Sequence, residues 1–267
     1  MASLERDPQT PRRFKTARTI FALMMREMST TYGRSPGGYI WAIVEPLGAI
    51  TMMTLFMVAG LRIRTPSLGI NFPMFYATGM LPFQMYLHSS NAVSRAIGYS
   101  RPLLFYPGVT YVDAILSRFL LSVMTRILVS YLVFGGIIVL FETRTALDIE
   151  AILLSVSMAA AFGFGVGCLN AYLIPTFPLW DSMWGILTAP LFFMSTIIFT
   201  FENLPPLGQD ILWYNPLVHV VGMMRRGFYP TYDALYVSPT YVFGVSLICM
   251  TAGLVLLGRY YRDILNR

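Results

Sequence analysis

Residues 112–141 read VDAILSRFLLSVMTRILVSYLVFGGIIVLF, thirty positions interrupted only by Asp113, Arg118 and Arg126 as charged groups. A helix needs ~20 apolar residues to cross about 30 Å of hydrocarbon, and this run exceeds that. A strand of a membrane barrel would need only ~10 residues in strict alternation, and nothing in the run alternates. The stretch therefore predicts a membrane-spanning helix. Working outward, further apolar runs fall at 39–60, 72–94, 149–174, 182–202 and 238–259. Together they predict an all-α integral membrane protein with about six transmembrane helices.

Composition excludes the soluble alternative. The chain has 267 residues, of which 56% are hydrophobic and 12% charged, with a mean hydropathy of +0.61. An ordinary soluble domain carries about 25% charged residues, and so short a chain cannot bury all this apolar surface in itself. The formal charge is +6, but Lys15 is the sole lysine and the arginines cluster between apolar runs. That distribution fits lipid headgroups and membrane topology and argues against nucleic acid. Cys168 and Cys249 both lie inside apolar runs, where buried thiols are expected and a disulfide or metal cluster is not. The opening MASLERDPQTPRR has no apolar core before a cleavage site, so no secretory signal is expected and the first span should do the targeting.

Orientation follows from the positive charges. Arg6, Arg12, Arg13, Lys15, Arg18, Arg26 and Arg34 precede the first span. With the N-terminus inside, Arg95 and Arg101 of the 95–111 loop and Arg259, Arg262 and Arg267 of the tail join them. Only Arg62, Arg64, Arg144, Arg225 and Arg226 fall outside, and Arg118 and Arg126 lie within the third run. The excess predicts both termini in the cytoplasm.

Two stretches outside the runs have character of their own. Over 12–30, Phe14, Ala17, Phe21, Met24 and Met28 recur at steps of three and four, with Lys15, Arg18 and Arg26 near the other face. This pattern predicts an amphipathic helix lying along the cytoplasmic surface, as an anchor or as a docking platform for a cytoplasmic partner. The stretch 203–237 is apolar and aromatic but broken by Pro205-Pro206, Asn215-Pro216 and Pro230. Short helices are expected near 207–213 and 217–228. On the outer side they form either a plain cap or re-entrant helices, the latter requiring cover from protein or a water-filled cavity.

Catalytic chemistry is hard to find. No GxxxxGK[ST] loop is possible with a single lysine in Arg13-Phe14-Lys15, so the chain is expected to have no ATP site and no catalytic residue of its own. Gly163-Phe164-Gly165-Val166-Gly167 lacks the strand and acidic follower of a dinucleotide loop, and Gly163 and Gly167 read instead as a close helix-packing face. His88 and His219 have no acidic or cysteine neighbours at metal-ligand spacing, so no metal is expected. Glu45, followed by Pro46, is the one carboxylate well inside a run, a possible proton-coupling group or a partner at a helix bend. The 16 Tyr, 19 Phe and 4 Trp belong partly to interfacial belts. Tyr39, Trp41, Trp213 and Tyr214 are placed where they could line a conduit, since aromatic faces adhere weakly and repeatedly to sugar rings.

The motif Tyr32-Gly33-Arg34 followed by Gly38-Tyr39-Ile40-Trp41-Ala42-Ile43-Val44-Glu45-Pro46 resembles the opening of type-2 ABC export permeases. Trp213-Tyr214-Asn215-Pro216-Leu217-Val218-His219, running on to Arg225-Arg226-Gly227-Phe228-Tyr229, resembles the Asn-Pro-Leu region before their last span. The resemblance covers essentially the whole chain and is nearest to the permeases that export group 2 capsular polysaccharide across the inner membrane of Gram-negative bacteria. O-antigen and teichoic-acid permeases share the two motifs, and an O-antigen, teichoic-acid or drug-type ABC permease is the alternative within the same class. A membrane-embedded transferase acting on lipid-linked sugars would need clustered acidic or histidine groups that the sequence lacks.

The resemblance implies a homodimer with the path between protomers, joined to two copies of an ABC ATPase that hold the ATP and Mg. It implies a coupling segment at about 95–108, including Arg95, Tyr99, Ser100 and Arg101. It implies further contact with a periplasmic adaptor and an outer-membrane channel, and a lipid-linked anionic polysaccharide as cargo. Arg34, Arg101, Arg225 and Arg226 then become candidates to meet anionic groups at the two mouths, or lipid phosphates. On this reading, replacing Arg225 and Arg226 together by Ala should impair export without lowering membrane abundance.

Overall fold

The computed structural model describes residues 15–31, 38–105, 108–143 and 145–266, and the described residues are helical with no strand. Helix α1 spans Lys15–Thr31 and α2 spans Gly38–Leu55, continued by a π-helical turn over Phe56–Gly60. Then come α3 (Phe72–Ser94), α4 (Ala96–Leu104), α5 (Tyr111–Leu140) and α6 (Ile149–Thr176). The short α7 (Trp180–Thr188), α8 (Leu191–Met194), α9 (Pro206–Leu212) and α10 (Pro216–Phe228) precede the long α11 (Pro239–Asn266).

Four of the described helices are long and apolar enough to cross a membrane: Ile40–Gly60, Tyr111–Leu140, Ile149–Thr176 and Pro239–Leu265. Two of the apolar runs differ from these. Helix α3 is long enough but carries Gln84, His88, Ser89, Ser90 and Asn91, and 17 of its 23 residues are buried. It sits inside the bundle with little face left for lipid. The run 182–202, read as one span, is not one helix. It stops at Thr188, resumes for one turn after Pro190, and ends where Thr196 takes a left-handed φ of 57°. Proline at 190 removes an amide donor and clashes with the preceding turn, so the helix cannot run through.

Helix α6 is the central strut, packed by α11, α3 and α10. Between helices that face lipid or each other with similar apolarity, close backbone approach is the main attraction, and small residues permit it. On one face, a Cβ on Gly163 would overlap the Ser89 hydroxyl, and a Cβ on Gly167 would stand 2.6 Å from Val93 Cβ and 3.0 Å from the Ser90 carbonyl oxygen. Both glycines thus receive α3. On another face Gly165 meets the Ser246 carbonyl of α11, and Gly253 of α11 meets the Cys168–Leu169 peptide. The Gly163/Gly167 face is filled from within the chain and is not open to a second copy.

Local sequence accounts for the helix ends. Thr110 and Asp113 form a reciprocal cap at the start of α5, each side chain bonding the other residue's amide at 3.2 and 2.9 Å. Asp148 caps α6 by accepting from the Ala151 amide at 3.2 Å. Asn215 caps α10 by accepting from the Leu217 amide, with Pro216 in the first turn, where its missing N–H is not needed.

Candidate functional site

The candidate residues fall at the two ends of the bundle, with a polar group between. The ends are set by α6, whose 28 residues measure about 42 Å. Its start meets α10, through Ile152 and Asp148 against Gly227, and its finish meets α4 and the end of α11 around Ala171, Pro175 and Leu265.

At the α4 end, Arg95 closes α3, its amide donating to the Asn91 carbonyl at 3.3 Å. Ser100 is buried, while Tyr99 and Arg101 are exposed. A groove of about 500 Å³ opens between α4 and the ends of α6 and α11, lined by Ile97, Tyr99, Arg101, Ile174 and Leu265 among others. Arg118 of α5 lies beside it, paired with Glu27 of α1 at 2.7 Å and with its guanidinium 4.2 Å from the centroid of the Tyr99 ring.

Deeper in the bundle, α2, α3 and α5 contribute Glu45, His88 and Arg126. Arg126 Nη2 donates to His88 Nδ1 at 2.8 Å, and since arginine can only donate, Nδ1 is the acceptor and Nε2 carries the hydrogen. That Nε2 faces Glu45 Oε1 at 3.6 Å, and Arg126 Nη2 lies 3.7 Å from Glu45 Oε2. Arg126 is buried and the Glu45 side chain is 52% exposed, so the group ends in a carboxylate on the open face of α2. Between it and the Arg118–Glu27 pair lies a polar cavity of about 150 Å³, lined also by Ser122 and Thr125. Sequence reasoning singled out Glu45 but set Arg118 and Arg126 aside. Their signal was available: two arginines eight residues apart inside an apolar helix share roughly one face and require buried partners.

At the α10 end, the aromatic pair separates. Trp213 is half-buried, donating from Nε1 to the Tyr236 carbonyl at 3.1 Å and packing edge-on against His219 at 5.2 Å, whereas Tyr214 is exposed. His219 bonds the Trp213 carbonyl through Nε2 at 2.8 Å and accepts the Ser238 amide at Nδ1 at 3.1 Å. Burial pulls this imidazole below its ordinary pKa, which suits the neutral tautomer those two bonds require.

Arg225 and Arg226 also part company. Arg226 is exposed, but Arg225 is completely buried. Its Nη1 donates to the Phe199 carbonyl at 2.8 Å and its Nη2 to the Ile197 carbonyl at 2.9 Å, while the guanidinium lies 4.3 Å from the Phe75 ring centroid. Those carbonyls belong to the irregular segment that follows α8, before the 3-10 turn at Phe201–Asn203. Burial lowers the Arg225 pKa, opposed by Tyr232, Tyr236, Tyr229 and Glu202 around it, and the same burial pushes the Tyr236 hydroxyl up to about 12. Arg225 is therefore turned into the bundle, where it braces the segment after α8.

Of the remaining candidates, Tyr39 lies in the first turn of α2, Trp41 is 61% exposed on the same helix, and Arg34 lies outside the described residues. Trp41 and Glu45, four apart, share the open side of α2. The structure thus places Arg95, Tyr99, Ser100 and Arg101 on and beside α4, Trp213 and Tyr214 just before α10, Arg225 and Arg226 in its last turn, and Glu45 on α2.

Comparison with known proteins covers this whole arrangement. The family described as ABC-2 type transporter matches residues 18–229, from α1 through the end of α10. The chain is 30% identical over 238 residues to the polysialic acid transport protein KpsM of Escherichia coli, covering 89% of this chain and 92% of the relative. It is 28% identical over 247 residues to the capsule polysaccharide export inner-membrane protein CtrC of Neisseria meningitidis serogroup B, covering 92% of each. It is 30% identical over 250 residues to the capsule polysaccharide export inner-membrane protein BexB of Haemophilus influenzae, again covering 92% of each. With four apolar helices of spanning length and a family match running over most of its length, the chain belongs to the ABC-2 type transporter family.

Proposed function

We propose that this chain is the permease subunit of an ATP-driven exporter that moves lipid-anchored capsular polysaccharide across the bacterial inner membrane. The observation that carries the reading is the similarity, over 89–92% of this chain and 92% of each relative, to proteins named for polysialic acid transport and capsule polysaccharide export. The chain crosses the membrane six times, counting α3 and the broken α7–α8 segment with the four apolar helices. Both termini are cytoplasmic, α1 lies along the cytoplasmic surface, and α9 and α10 enter the membrane from the outer side without crossing it.

Hydrolysis belongs to a separate ABC ATPase, two copies of which engage the α4 segment and carry the ATP and Mg. Two copies of the permease enclose the path. Supporting this, α7 has no buried residue, and α2 and α8 flank an apolar groove of about 320 Å³ lined by Met52, Met53, Phe56 and Phe192 among others. A periplasmic adaptor and an outer-membrane channel complete the route. The experiment is complementation of a permease-null encapsulated strain, with surface polysaccharide as the readout. Restored capsule, with an ATPase co-purifying in equal amount, is the expected result. A chain that reaches the membrane but restores O-antigen, or nothing, overturns the cargo assignment.

A further inference from the structure

Arg118 stands in the first third of α5, and its side chain is 13% exposed. Helix α5 packs against both α1 and α4. Three parts of the chain meet at this one guanidinium. Glu27 of α1 accepts from Nη2 at 2.7 Å, the Arg95 carbonyl at the α3–α4 junction accepts from Nη1 at 3.4 Å, and Tyr99 of α4 lies against its flat face at 4.2 Å. A guanidinium is suited to this because its edge holds a fork of donors while its face stacks on an aromatic ring. A lysine ammonium is a compact point charge without this planar fork, so it can hold Glu27 but does not reproduce the stacked, edge-donating arrangement.

We propose that Arg118 is a positioning residue that makes α1 and α4 move as one body, so that displacement of α4 by a nucleotide-driven partner reaches α1. This rests on the functional reading above, in which an ATPase engages α4. Both helices keep an open side: Phe21 and Met25 of α1 are exposed, and Tyr99 of α4 is 61% exposed. A charged, three-way contact at the junction is then the means by which the two helices stay in step. Arg118 touches neither nucleotide nor cargo and acts through its neighbours.

The test uses the complex purified with its ATPase and reconstituted in lipid, in a background with Cys168 and Cys249 replaced. Spin labels go at Ala22→Cys on α1 and Gly98→Cys on α4, both exposed, the latter with open space around it. In the parent complex the label-to-label distance should stay narrow with and without ATP. In Arg118→Gln and Arg118→Lys it should broaden, and polymer exported per ATP hydrolysed should fall about tenfold, an ordinary size for coupling between sites. Tyr99→Leu, at an exposed side chain that the fold does not need, should shift both readouts in the same direction and decides the matter if Arg118→Gln fails to assemble. Full rescue by Arg118→Lys, or an unchanged ratio and distance in the variants beside a responsive parent, overturns the inference alone. A parent complex that hydrolyses no ATP overturns both the inference and the functional reading beneath it.

Discussion

At the scale of single residues, the two neighbouring arginines of α10 show how little a charge in a sequence says about its use. Both sit on what the charge balance marks as the outer side, yet one is exposed and the other is buried, bonded to carbonyls of the segment after α8. Arg225→Ala removes two charge-assisted hydrogen bonds and leaves two buried acceptors unpaired, a loss of about 3 kcal/mol or more. We expect this variant to melt early in detergent and to be depleted from the membrane, while Arg226→Ala stays within about 0.5 kcal/mol of the parent. A parental melting temperature in Arg225→Ala would show that the brace is dispensable. The sequence could not separate the pair because the partners of Arg225 are backbone carbonyls 26 and 28 residues away, which have no side-chain signature. The Glu45–His88–Arg126 group was half legible for a related reason. Each member looks costly in lipid, but only the packing of three helices shows that they offset one another.

At the scale of elements, prolines and periodicity were informative and apolar composition less so. Asn215-Pro216 and Pro205-Pro206 mark the starts of α10 and α9 to within a residue or two, because a cap and a first-turn proline are local physics. The three-and-four spacing of Phe21, Met24 and Met28 likewise coincides with helix α1. Composition cannot tell a lipid-facing span from an enclosed one, which is why α3 and α5 look alike as runs and differ in the fold. Nor did the run 182–202 show its break, although Pro190 was there to be weighed. The glycines of α6 were legible as packing residues, but not which neighbour they receive. Gly167→Ala should force α3 and α6 apart and cost about 1–3 kcal/mol. Gly244→Ala, where an added Cβ meets nothing within 4 Å, should be neutral or gain up to about 1 kcal/mol from helix propensity. Thermal unfolding of the two variants side by side checks the contrast, and equal melting would remove the case for a close α3–α6 seam.

At the scale of the whole molecule, the bundle is unevenly finished. Helices α3, α6 and α10 are the more enclosed, whereas α2, α5, α7 and α11 present apolar side chains outward, among them Trp41, Met52, Tyr131, Ile186 and Val255. In the proposed exporter a second copy covers part of that face. Met52→Cys, 69% exposed in the parent and placed in a background without Cys168 and Cys249, should then form a disulfide-linked dimer in native membranes under mild oxidant. Val255→Cys, 70% exposed on α11, should not. Equal cross-linking at both positions would point to random collision. No sequence could have made this distinction, since a side chain meant for lipid and one meant for another apolar helix have the same chemistry. The brace at Arg225 also has a bearing on how the chain is made. Ile197 and Phe199 leave the ribosome on the order of a few seconds before the arginine that caps them. Through that interval the segment has open carbonyls and no partner, so the insertion machinery must shelter it, and a nascent chain arrested there is a natural target for membrane proteases.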